Sequence, residues 1–135
     1  MTPSLVATRS SRASTSDGAP SVSNAGHPAP LLVSPGGEVR FVDSPPDVVL
    51  GVDADLPRKD HEIELPPGST LLLYTDGLME RRHDPDDTAG EALRRLVVDA
   101  ARLPLDRFCD RLVRSTTADT GDDIVVLAVR TDPGP

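Results

Sequence analysis

The run Thr70-Leu71-Leu72-Leu73-Tyr74 constrains this chain more than any other feature. It is short and unbroken, bounded by Pro66-Pro67-Gly68-Ser69 on one side and Thr75-Asp76-Gly77 on the other. A bilayer span needs about 18 or more apolar residues, and a buried helix needs roughly ten to twelve. The run therefore reads as a strand covered on both faces, at the centre of a layered domain. Ile124-Val125-Val126-Leu127-Ala128-Val129 is β-branched and apolar and reads as a second buried strand. At 135 residues there is room for one domain around them. With two Phe, one Tyr and no Trp, its core must be built from Leu, Val, Ile and Ala.

Shorter elements surround these two. Leu31-Leu32-Val33, Ser34-Pro35-Gly36-Gly37 and Glu38-Val39-Arg40-Phe41-Val42 read as strand, turn and strand. His61 to Leu65 alternates with period two, placing Ile63 and Leu65 on one face and both Glu on the other. Between the two apolar runs, Leu93, Leu96, Val97, Ala100 and Ala101 recur at helical spacing. Leu105, Phe108, Cys109 and Leu112 repeat that pattern, with Pro104 where a helix can tolerate a missing N–H. Strands, a helix pair and a final strand predict an α+β fold with largely antiparallel sheet.

Residues 1–22 differ in kind. They are rich in Ser and Thr and offer few groups to bury, so a disordered leader is expected. The folded part is expected over 23–131, with a tail at 132–135. A formal charge of −8 and the lack of a basic patch argue against nucleic acid. No run is long enough for a membrane, and no secretory apolar segment follows the start. The single cysteine cannot form an internal disulfide, so a cytoplasmic protein is expected.

Two acidic sites sit at strand rims. Asp76-Gly77 follows the first apolar run and Gly121-Asp122-Asp123 opens the second. Asp and Gly are common turn formers at such places. Brought together, the same carboxylates would make an oxygen-rich pocket suited to Mg²⁺ or Mn²⁺. The residues alone leave both readings open.

Three blocks bear on that choice. Asn24-Ala25-Gly26-His27-Pro28-Ala29-Pro30-Leu31-Leu32, Leu71 through Glu80, and Asp122-Asp123-Ile124-Val125-Val126-Leu127 occur in this order. Together they resemble the C-terminal half of the PPM-type metal-dependent serine/threonine phosphatases, in the branch related to the bacterial sporulation stage II E phosphatase. The resemblance implies a sandwich of two antiparallel sheets flanked by helices, here a partial α-β-β-α sandwich lacking the family's N-terminal strands. It implies a binuclear Mn²⁺ or Mg²⁺ centre at one rim and hydrolysis of phosphoserine or phosphothreonine on a regulatory protein such as an anti-sigma-factor antagonist. By resemblance, Asp76 and Asp122 match metal-binding carboxylates, and Asp123 supports Asp122 or binds a further ion.

The family pattern also has an upstream Gly-flanked Asp that bridges both metals. Asp17-Gly18 lies in the Ser-rich leader with no apolar strand before it and does not correspond. A truncated domain, weak or inactive alone, is therefore implied. The alternative is a non-catalytic protein-binding module or a gene fragment derived from such a phosphatase. Half of a sandwich should also expose an apolar sheet face or self-associate.

The remaining candidates carry less. His27 reads as a turn residue packed on its own prolines, with a phosphate contact as the rarer role. His61 shares a face with Ile63 and Leu65 and reads as a core or edge histidine. An EF-hand loop starting at Asp84 would need Gly and Glu where Ala89 and Arg95 stand. Cys109 lies on the apolar stripe of its helix and reads as a small hydrophobe, not a nucleophile.

Overall fold

The computed structural model describes residues 5–9, 20–25, 27–42, 55–57, 61–80, 89–115 and 124–134. In chain order these form β1 (Leu5–Arg9), β2 (Ser21–Ala25), β3 (Leu31–Val33), β4 (Val39–Phe41), β5 (His61–Glu62) and β6 (Thr70–Tyr74). There follow α1 (Asp76–Glu80), α2 (Ala89–Ala100), α3 (Leu105–Arg114) and β7 (Val126–Arg130). One sheet has the order β4-β3-β6-β7 and the other β1-β2-β5. Every described pairing is antiparallel, and the fold is the α+β sandwich expected.

β6 is buried along its whole length between β3 and β7. Because side chains alternate across a sheet, it serves two cores. Leu72 and Tyr74, with Leu31 and Val33 of β3, pack against Leu78 of α1, Leu93, Val97 and Ala100 of α2, and Phe108 and Leu112 of α3. Leu71 and Leu73, with Leu32, face the other way and pack against Val22, Val42 and Ile63. An unbroken apolar run is the only kind of strand that fits such a place.

Local chemistry sets the boundaries. Gly37, at φ 91°, makes the β3–β4 turn, where the Ser34 carbonyl accepts from Gly37 N–H at 2.9 Å. Pro104 directly precedes α3, and its carbonyl accepts the Phe108 N–H at 2.8 Å. At the foot of β7, Arg130 donates through Nε to Thr70 Oγ1 at 2.8 Å and through Nη1 to the Leu103 carbonyl at 3.0 Å. This ties the last strand to the α2–α3 turn. Burial and the neighbouring Asp110 raise the Cys109 thiol above its usual range, which favours its protonated form.

Four expectations need correction. Residues 5–9 and 21–22, placed in a disordered leader, are strand: β1 pairs with β2 over five residues, and Val22 is fully buried between the sheets. Composition treats a segment as if it stood alone, whereas here backbone pairing and one buried valine offset the cost of ordering it. The alternating segment at His61 pairs only over His61–Glu62, although Ile63 is buried and both Glu are exposed as read. Thr75-Asp76-Gly77 leads directly into α1 rather than a turn. Finally, β7 is covered on one face only. The acidic segment 84–88, the Pro-rich 43–54, and Asp122 and Asp123 lie outside the described residues. Among the described residues no helix is long and apolar enough to cross a membrane.

Candidate metal centre

The antiparallel pairing of β6 with β7 sets Tyr74 opposite Val126, so the end of one strand and the start of the other share a rim. Thr75 fastens that rim. Its N–H donates to the Val125 carbonyl at 3.1 Å, and its Oγ1 accepts the Val125 N–H at 3.0 Å. The Thr75 carbonyl also accepts the Leu78 N–H at 3.1 Å, which starts α1, and Leu78 is anchored in the core. Asp76 is therefore carried at the first position of α1, exposed to solvent, on a backbone held from both sides.

The first block reaches the same rim. Tyr74 Oη donates to the Ala29 carbonyl at 2.7 Å, drawing the turn before β3 toward the end of β6. That turn is clamped by Asn24, whose Oδ1 accepts the His27 N–H at 2.8 Å while its Nδ2 donates to the His27 carbonyl at 2.9 Å. Asn24 is fully buried. Its role went unread in the sequence, although an Asn three residues before the end of a Pro-bounded turn is a known signal for such a side-chain clamp. His27 belongs to this turn, as read, and its Nε2 is buried without a hydrogen-bond partner. Truncating the clamp should cost about 1–3 kcal/mol, the penalty of leaving buried backbone groups unpaired. Urea unfolding of Asn24→Ala measures this.

Tyr74 reports on Asp76 directly. Burial, and then the negative charge of Asp76, push the Tyr74 hydroxyl well above the ordinary tyrosine value. A raised folded value favours the protonated form, so this contribution is fully present below about pH 10, the unfolded value. It is lost as pH rises beyond that. Tyr74 is the only tyrosine in the chain, so absorbance near 295 nm reads it alone. Tyrosinate should appear only with alkaline unfolding, and Tyr74→Phe should flatten the alkaline fall in stability. A free titration near pH 10 in the folded protein would contradict this burial.

The structure thus sets the parts of the three sequence blocks that lie in β3, β6 and β7 side by side and carries Asp76 at the end of β6. Among the described residues no group of three or more His, Cys, Asp and Glu could hold a metal. His61 lies in the other sheet, paired with Val22.

Comparison with known proteins decides the family. Residues 8–132 match the family described as Stage II sporulation protein E (SpoIIE). The chain belongs to the SpoIIE family. The match begins inside the segment read as a leader, in keeping with the strand found at residues 5–9. The RsbU and RsbW domains of Rv1364c from Mycobacterium tuberculosis are 34% identical, with a TM-score of 0.64 over 86% of this chain and 33% of that one. The phosphatase domain of SpoIIE from Bacillus subtilis is 15% identical, with a TM-score of 0.68 over 98% of this chain and 58% of that one. The SiaA-PP2C domain of Pseudomonas aeruginosa is 22% identical, with a TM-score of 0.64 over 84% and 46%. The last two likenesses are of fold. This SpoIIE-family chain spans between a third and about three-fifths of these solved chains.

Proposed function

We propose that this chain supplies part of the divalent-metal rim of a protein serine/threonine phosphatase acting on a phosphorylated regulatory protein, such as an anti-sigma-factor antagonist. One observation carries the reading: the reciprocal Thr75–Val125 hydrogen bonds put Asp76 beside the segment that enters β7. The donor set, Asp76 and Asp122 with Asp123 in support, is all carboxylate, which fits Mn²⁺ or Mg²⁺ and not a thiophilic metal. The similar Bacillus SpoIIE phosphatase domain was solved in a Mn-presoaked form. The presence of RsbU and RsbW domains in Rv1364c supports a partner-switching substrate.

When bound, such a cation pair activates water and neutralises charge growing on phosphoryl oxygens. The chain's own residues hold the frame. Thr75 fixes the spacing of the two strand ends, α1 presents Asp76, and Tyr74 keeps the Asn24–Pro30 turn against them. Asp17-Gly18 falls between β1 and β2 in chain order and not in a block that matches the family's bridging acid, which favours weak or absent turnover by these residues alone, with a binding module as the second reading. Release of phosphate from a phosphoserine peptide with and without Mn²⁺ tests it. Trace or no turnover is expected, and robust Mn²⁺-dependent turnover would show the bridging acid to be dispensable.

A further inference from the structure

We propose that the cleft at the foot of β6 and β7, at the opposite end of these strands from Asp76, binds a phosphate group. The register sets Thr70 opposite Arg130 at this end and Tyr74 opposite Val126 at the other. Four residues of extended strand separate the two ends, about 13 Å. The cleft has a volume of about 540 Å³, the size of a small-molecule pocket. Arg102, Arg130, Ser34 and Thr70 line it, and Pro35 and Pro67 supply an apolar wall.

The chain holds 22 Asp and Glu against 14 Lys and Arg. Yet the described residues lining this cleft include two arginines and no carboxylate. The arginines come from different elements, Arg102 from the turn after α2 and Arg130 from the end of β7. The fold brings them together, because Arg130 Nη1 donates to the carbonyl of Leu103, the residue next to Arg102, at 3.0 Å. Thr70, 2% exposed, accepts from Arg130 Nε at 2.8 Å. These two bonds fix the guanidinium, and its Nη2 is left buried with no hydrogen-bond partner. Arg102 is exposed and makes no ion pair among the described residues. Asp132, the acid nearest to Arg130 in the chain, is exposed and does not line the cleft.

Two guanidiniums set near one another without a counter-charge repel, and an anion between them removes that cost. A phosphate dianion matches them in charge and accepts paired N–H groups from each. A carboxylate would neutralise only one. Ser34 Oγ accepts the Glu38 N–H at 3.0 Å, which leaves its own O–H to donate to a phosphoryl oxygen. The proline wall suits an organic body carrying the phosphate.

The test titrates the ¹⁵N-labelled 135-residue chain with inorganic phosphate, and separately with phenyl phosphate. EDTA is present, and sodium chloride holds the ionic strength constant. Saturable shifts are expected at Ser34, Gly68, Arg102 and Thr131, with Thr75 and Gly77 unmoved. Phenyl phosphate should bind about threefold more tightly if the phosphate arrives on an organic body. Equal affinities would assign free phosphate to the same site. Arg102→Gln should weaken either ligand about tenfold or more, the loss of a charge-assisted contact. Arg130→Gln also releases β7, so Arg102→Gln, at an exposed position, is the deciding variant. Arg107→Gln, exposed on α3 and outside the cleft, should leave affinity unchanged. Absence of saturation, shifts centred on Thr75 and Gly77, or equal weakening by Arg102→Gln and Arg107→Gln overturns the proposal. With EDTA present throughout, this site and the metal reading can fail separately.

Discussion

Phe108→Ala is expected to destabilise the protein by about 3–5 kcal/mol, the range for deleting a buried aromatic ring. Phe108 is fully buried on α3, at the centre of the core that α3, α2 and α1 share with β3 and β6. The other two large rings, Phe41 and Tyr74, already hold their own places at this core, so neither is free to refill the space. Domains of this kind are held by only about 5–15 kcal/mol in total. The loss should therefore be visible as a large fall in the urea midpoint with little change in slope. Val113→Ala, at an exposed position nearer the end of the same helix, should shift the midpoint by no more than about 0.5 kcal/mol. Equal effects from the two would mean that α3 does not pack as described.

What could be read from the sequence divides along physical lines. β6 and the α2–α3 pair were legible because their signals are local: an unbroken apolar run, two apolar stripes at helical spacing, and a proline at a helix start. The same holds for the β3–β4 hairpin, where Gly37 carries the turn. β1 and β2 were not legible. Their stability comes from pairing with each other and from one buried valine, none of which shows in composition. The short α1 was hidden because Asp-Gly signals a turn, and what makes it helical is the core anchor Leu78. β7 misled in the opposite sense. β-branched apolar residues predict burial on both faces, and only the Val126–Ala128 side has it.

The candidate site was legible as three blocks in order, and the structure adds their meeting place. Thr75 and Asn24, which hold that place together, were not singled out. Their contribution lies in hydrogen bonds to Val125 and His27 that depend on the folded register.

Asp76→Asn is expected to weaken Mn²⁺ binding by about 100-fold or more. Removing an outer partner of a metal ligand costs about 10–100-fold, and a direct carboxylate should cost no less. Asp76 is exposed, so the same substitution should change stability by no more than about 0.5–1 kcal/mol. Loss of binding without loss of fold separates a ligand from a structural residue. Asp122→Asn should reduce Mn²⁺ affinity in the same way, and Asp123→Asn less, as befits a supporting group. Equal affinities in all three variants would remove these residues from the metal account.

Substoichiometric Mn²⁺ added to ¹⁵N-labelled protein tests the central claim most directly, because paramagnetic broadening maps the ion onto named amides. The account predicts broadening of Thr75, Gly77, Leu78 and the Ile124–Val126 stretch, abolished in Asp76→Asn, with the distal ends of β6 and β7 near Thr70 and Arg130 spared. Broadening centred elsewhere, or persisting unchanged in both Asp76→Asn and Asp122→Asn, would contradict it.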